Sequence, residues 1–183
     1  YGRKAQPGEI GCSLSHRKIY ELMVKNNTPL ALILEDDVIP VKFFQKKINN
    51  IIKELSPLAE NGQAFICHLG VTQSPAGSMV FVRSFKNFRK MRRIWRLNSE
   101  NSKLWLTHAY LISNSAAKKI LNSEPEVSLV ADDWSRRIDN GVFQHIFYSA
   151  LLFKQDLAAE SQIGNLRFSD GLNPMKKNGI KEK

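Results

Sequence analysis

The chain has little cysteine, no long apolar run and far fewer acids than bases. Only Cys12 and Cys67 occur among 183 residues, each inside an apolar pattern rather than a spaced framework. That argues against a disulfide scaffold or a zinc site and suits a reducing cytosol. No apolar stretch approaches the roughly 20 residues that a membrane-spanning helix needs. The longest, residues 142–153, is interrupted by Gln144, His145, Tyr148 and Ser149. A signal-peptide pattern is absent, and the sequence opens on Tyr1 rather than Met, so the N-terminus of the protein is expected to lie upstream. No internal repeat is found. Asp and Glu number 17 against 27 Lys and Arg, a net charge of +10. Such an excess points to an anionic partner (nucleic acid, a phosphorylated substrate or an acidic membrane surface) or to simple solubility.

What is present is ordinary for a folded chain, with 43% hydrophobic and 24% charged residues. One domain is expected over residues 1–168, followed by a Lys/Asn-rich tail, 169–183, with little to bury. The stretch that organises the rest is 30–38, Leu-Ala-Leu-Ile-Leu-Glu-Asp-Asp-Val. It reads as a buried strand of an α/β sheet that ends at three adjacent carboxylates. Open α/β sheets place ligands at such carboxyl ends. Acids packed this tightly repel one another, and a bound cation is the usual compensation. If the backbone stays extended, Glu35 and Asp37 point one way and Asp36 the other.

Around it the chain alternates helix and strand. Glycines and serines in 8–16 read as a turn into a helix reaching about Asn26, with Cys12, Ser15/His16, Ile19 and Leu22/Met23 on one face. His16 on that face is either a hydrogen-bonded core residue or a catalyst. Phe44, Ile48, Ile51, Ile52 and Leu55 share a second helical face, 56–62 reads as loop, and 64–69 as a second buried strand. A short strand at 79–82 precedes Arg83–Arg96, which carries seven basic residues and no acid, interleaved with aromatics. That is a basic patch for anionic lipid or phosphate rather than nucleic-acid readout, or a plain solvated face. Residues 104–112 read as strand, Ser113 as the cap of a helix over 114–122, and 142–153 as a returning strand. Asp132 and Asp133 precede a further helix, where an acid serves either as cap or as catalyst.

Five stretches in order resemble glycosyltransferase family 25, the lipooligosaccharide galactosyltransferase type. They are Gly8-Glu9-Ile10-Gly11-Cys12-Ser13-Leu14-Ser15-His16, then Leu34-Glu35-Asp36-Asp37-Val38, then Thr107-His108-Ala109-Tyr110-Leu111-Ile112-Ser113 with Ala117-Lys118-Lys119. Asp132-Asp133-Trp134 and Gln155 with Glu160-Ser161-Gln162-Ile163 complete the set. The resemblance implies a GT-A-like α/β fold, a mixed sheet flanked by helices, with the first βα unit expected to be missing. It implies a UDP-sugar donor, inverting transfer of a sugar such as galactose to a lipooligosaccharide acceptor, and Mn2+ or Mg2+. Glu35-Asp36-Asp37 would be the DXD-type metal site, with Asp37 a direct ligand and Glu35 touching metal-bound water or the donor. Asp133, with Asp132 behind it, would be the base or grip acceptor hydroxyls; His108 would approach the diphosphate or sit in the strand core; Trp134 would stack on a sugar or pack. Glu9, Ser15 and His16 carry over as architecture. A cytoplasmic protein, peripheral at the inner face of the inner membrane, follows from the acceptor. Two other classes compete: a non-enzymatic basic module binding nucleic acid or membrane, and an inactive truncated remnant. Leu106 stands where the family has a glycine before Thr107, a minor difference expected to bear on the local turn.

Overall fold

The structure, a computed structural model, describes residues 5–70, 107–124, 130–149 and 152–156 in full, and the backbone alone at 79–84 and 88–93. Helix α1 (Pro7–Lys25) begins with proline at a first-turn position, where its missing N–H costs nothing. The Gln6 N–H donates to Glu9 Oε2 at 2.8 Å, tying off the same end. Residues 8–16 are therefore the first half of the helix, not the turn before it. Its buried stripe is Glu9, Ser13, His16, Tyr20 and Met23. The expected face is rotated: Ser15 is exposed, and Leu22 is 48% exposed. Because the inward stripe begins with three polar residues, counting apolar positions misplaces it.

Strand β1 (Leu30–Leu34) pairs antiparallel with β6 (Ala109–Ser113), and only Ile33 in it is buried. The buried strand expected through Val38 stops at Leu34. Asp36 and Asp37 turn the chain, and β2 (Val38–Pro40) joins β8 (Phe153–Gln155) in a separate two-stranded sheet. Helix α2 (Phe44–Glu60) buries Ile48, Ile51, Leu55 and Ala59. It continues through Ser56 and Pro57, which the sequence assigns to a loop. Proline removes one helical donor, while burial of Leu55 and Ala59 on either side holds the last turn in place.

Strand β3 (Phe65–His68) is buried along its length, with β6 antiparallel on one side and β7 (His145–Ser149) parallel on the other. Strands β4 (Met79–Ser84) and β5 (Phe88–Arg93) extend the main sheet in the order β1-β6-β3-β7-β5-β4. The strand expected over 142–153 is thus two, in different sheets. After Ser149 the chain leaves the main ladder, and the Leu152 N–H donates to Leu69 O at 2.8 Å. Helix α3 (Asn114–Ser123) follows Ser113, whose hydroxyl caps it by accepting from the Ala116 N–H, as its sequence indicates. Helix α4 (Trp134–Asp139) is short. The side chains of Arg83–Arg96 and the segments 72–78, 98–103 and 157–183 lie outside the described residues.

The architecture is the α/β class expected, a mixed sheet with helices on both faces. On one face Tyr20, Met23, Ala116, Ile120 and Trp134 pack over Ile33, Ile66, Tyr110, Ile112 and Ile146. On the other, α2 packs over Phe65, Cys67, Leu111 and Phe147. Strands β1 and β3 both oppose β6, and β7 runs with β3, so β1, β3 and β7 end at one edge of the sheet. That edge is where the chemistry-bearing residues gather. Leu55 is fully buried at the centre of the α2 interface. Leu55→Ala is expected to lower unfolding free energy by about 2–5 kcal/mol, read as a shift of denaturation midpoint at unchanged slope.

Candidate functional site

Where β1 stops, the Glu35 N–H donates to His108 O at 3.0 Å, so the first acid is fixed to the start of β6. Its Oε1 turns toward α1 and meets His16 Nε2 at 3.4 Å, Cys12 Sγ at 3.8 Å and the Thr107 hydroxyl, which donates to it. Behind His16, Nδ1 lies 2.6 Å from the Tyr110 hydroxyl, which is 2.7 Å from that of Tyr20. Burial alone would raise the Glu35 carboxyl, but hydrogen bonds from His16 and Thr107 outweigh it and hold the group below the usual carboxylate range. Burial has the upper hand at the two tyrosines: Tyr20 is pushed up to about 12, and Tyr110 also lies well above its ordinary value. His16 is thus a hydrogen-bonded core residue that also touches the acidic strand end.

The three acids do not converge. Asp36 is exposed. Asp37 faces β8: its Oδ2 accepts from Gln155 Nε2 at 2.7 Å, and its carbonyl accepts from the Asp156 N–H at 2.7 Å. Asp37 Oδ1 is buried without a hydrogen-bond partner among the described residues. The extended geometry that would align Glu35 with Asp37 is therefore replaced by a turn, which sends one carboxylate to α1 and the other to the small sheet. Among the described residues, the one group of three ligand-type side chains with donor atoms within 4.8 Å of one another is Cys12, His16 and Glu35.

Beside Glu35 on the same face of the sheet lie two buried imidazoles, His68 at the end of β3 and His108. None of their four ring nitrogens has a hydrogen-bond partner among the described residues. His108 packs so closely on Gly70 that an added Cβ there would stand 1.9 Å from its Nε2. Burial, with the neighbouring His108 second, drives His68 down to about 3, so it is neutral at physiological pH.

At the same edge, Asp133 caps α4, its Oδ1 accepting from the Arg136 N–H at 3.1 Å while Oδ2 lies 3.5 Å from Arg136 Nε. The capping role is the one the structure displays. Asp132 is buried beside it. Trp134 is fully buried, edge-on to Tyr110 and His68 with ring centroids 5.0 and 5.6 Å away. Of the two roles expected for it, packing is the one seen, since an indole with no exposed face has none to offer a sugar. The loop before α4 is held by Arg137, which grips Glu124 through bonds of 2.9 and 3.0 Å and donates to Ala131 O at 2.6 Å. Of the residues carried over as architecture, Glu9 anchors the start of α1, and the exposed Ser15 donates to the Gly11 carbonyl at 3.0 Å.

Sequence reasoning missed His68, Tyr110, Tyr20, Thr107 and the site role of Cys12. A histidine at the end of an apolar strand, two residues before Gly70, is the available signal for His68. The tyrosines gave none.

The profile of glycosyltransferase family 25, described as an LPS biosynthesis protein, matches residues 1–135. The chain belongs to glycosyltransferase family 25. Procollagen galactosyltransferase 1 of Danio rerio is 29% identical over 125 residues, 68% of this chain and 19% of that protein. A glycosyltransferase 25 family member of Aedes aegypti is 28% identical over 130 residues, covering 69% of this chain and 19% of its own length. A Bos taurus relative named probable inactive glycosyltransferase 25 family member 3 is 28% identical over 124 residues, 68% of this chain and 19% of that protein. The chain spans about a fifth of the length of these relatives. The matched region of the family profile contains Glu35, Asp37, His68, His108 and Asp132 alike.

Two outcomes follow from the imidazole pair. Gly70→Ala is expected to destabilise by about 1–3 kcal/mol through overpacking, and His108→Ala in the same chain to recover part of that loss, measured by urea unfolding of both single variants and the double. His68 is neutral when folded down to about pH 3, whereas the unfolded group protonates below 6.5. Its stabilising contribution is therefore complete above pH 6.5 and is lost as pH falls toward 3, with a slope of up to about 1.4 kcal/mol per unit. In His68→Gln, unfolding free energies measured across that window should lose this part of the slope.

Proposed function

We propose that this chain carries the metal-side part of a glycosyltransferase active site, transferring a hexose from a UDP-sugar to an acceptor hydroxyl with inversion. The observation that carries the reading is Asp37, a carboxylate at the carboxyl end of β1 with one oxygen held by Gln155 and the other buried without a hydrogen-bond partner among the described residues. An oxygen so placed suits a hard divalent cation, Mn2+ or Mg2+, with exposed Asp36 alongside as a second donor. Such an ion supplies neutralisation of charge on the departing nucleoside diphosphate. Glu35, its Oε1 engaged by α1 and Thr107, fixes the turn that aims Asp37 and presents its second oxygen to donor or metal-bound water. His108 sits one strand away, where an imidazole N–H would donate to a phosphate oxygen.

The acceptor hydroxyl must lose a proton as it attacks. We assign Asp132, buried beside the α4 cap, as the base, with Asp133 holding the loop that carries it. Galactose as the transferred sugar is supported by the names of the galactosyltransferase relatives. The acceptor group in this reading is a hydroxyl. We favour lipooligosaccharide, reached at the inner face of a membrane by a basic cytoplasmic protein; a collagen-type acceptor is the second arm of the test. No helix among the described residues is long and apolar enough to cross a membrane.

The decisive assay is metal-dependent release of UDP from a UDP-hexose, with and without each acceptor. Asp37→Ala should abolish the Mn2+-dependent rate, and undiminished turnover in that variant would overturn the assignment. Asp132→Asn should lower kcat by about 10²–10⁴-fold with little change in donor KM. A wild-type chain with no release under any condition would favour the inactive reading, which the Bos taurus relative's name also represents.

A further inference from the structure

We propose that Cys12, His16 and Glu35 form a second metal site, of the transition-metal class typified by Zn2+, separate from the oxygen donors at Asp36 and Asp37. The site goes beyond the transferase reading and does not depend on it. Cys12 and His16 stand one turn apart on α1, so both side chains leave the same helical face toward the end of β1. Glu35 Oε1 lies 3.4 Å from His16 Nε2 and 3.8 Å from Cys12 Sγ. Both suit donors arranged around a point. With Zn–N and Zn–O near 2.0 Å, Zn–S near 2.3 Å and tetrahedral angles, the ligand separations come to about 3.3 and 3.5 Å.

The surroundings are those of a built ligand set. His16 is 5% exposed, and its second nitrogen, Nδ1, is held 2.6 Å from the Tyr110 hydroxyl, the outer contact that orients a metal-binding imidazole. Thr107 donates to the coordinating carboxylate oxygen and fixes its rotamer. Cys12 and Glu35 are only partly buried, which leaves an entry path and a fourth position facing solvent. On binding, the Cys12 thiol gives its proton to solvent and coordinates as thiolate. Sulfur and imidazole select a softer ion than the carboxylates of the neighbouring turn, so the two sites are expected to fill with different metals.

The test is titration of the chelator-stripped full chain with Co2+, followed by absorption spectroscopy. One equivalent should develop the intense near-ultraviolet band of a thiolate–cobalt bond, and Zn2+ should remove it. Cys12→Ser should lose the band, whereas Cys67→Ser and Asp37→Ala should keep it; retention in Asp37→Ala separates this site from the one proposed for catalysis. Tyr110→Phe, which preserves the ring, should weaken binding by about 10–100-fold while leaving the band's shape. A wild-type chain without the band, or a band that persists in Cys12→Ser, would overturn the proposal.

Discussion

Everything at the functional edge depends on how the Glu35 carboxylate is held. Its backbone is fixed to the start of β6, and its side chain is gripped by α1 and by Thr107. A half-buried carboxylate would ordinarily resist ionisation. Here the donors around it reverse that tendency, and the charge remains in place. The anchored charge joins three segments that are far apart in sequence, residues 12–16, 35 and 107–110. Its influence extends inward through His16 to Tyr110 and Tyr20, which lie in the same core as Ile33, Ile112 and Trp134. Site and core are therefore one structure on this face of the sheet, and a change at Glu35 is felt by both.

A second tie fixes the opposite side of the edge. The Arg137 guanidinium is buried, bonds both oxygens of Glu124 and lies 5.1 Å above the Trp134 ring. Removing one partner of such a pair leaves an uncompensated buried charge and costs about 3–5 kcal/mol. The Ala131 carbonyl takes a further bond from the same guanidinium, so Asp132 and Asp133 are carried on a loop whose path is set from beneath. Arg17 on α1 also donates to the Glu124 carbonyl, linking that loop back to the helix that holds Glu35. Both acidic elements are thus referenced to α1.

The element types were legible from the sequence because most obey simple patterns. Helix α2 follows its apolar spacing, β3 its uninterrupted apolar run, and α3 its serine cap. Helix α1 was legible as a helix but not in its start or its face, because its inward residues include Glu9, Ser13 and His16, which satisfy one another and the site rather than an oily core. The division of 142–153 into two strands was hidden for a different reason. Leaving one sheet for another is decided by partners at Leu69 and Val41, not by local composition. The acids at 35–37 were found from their position, and the class of fold with them. Their geometry was not, since alternation along an extended strand assumes that the strand continues. The grouping of Cys12 with His16 and Glu35 is not legible in cysteine spacing, because its third side chain comes from another element, 19 residues beyond His16.

The turn at Asp36 and Asp37 is what lets three neighbouring acids coexist. In an extended strand Glu35 and Asp37 would project from the same side about 7 Å apart along the chain, with nothing but solvent or a cation to offset their repulsion. Turning the backbone gives each its own donors: helix α1 and Thr107 for Glu35, Gln155 for Asp37. The consequence for Asp37 is that its position is set by β8, and β8 reaches it only because the chain quits the main sheet after Ser149. The crossing from β7 to β8 therefore belongs to the site as much as the acidic residues do. Gln155, exposed and chemically plain, is the residue through which that crossing acts. It occupies one oxygen of Asp37 and leaves the other turned inward, the asymmetry on which the proposed metal role of Asp37 rests.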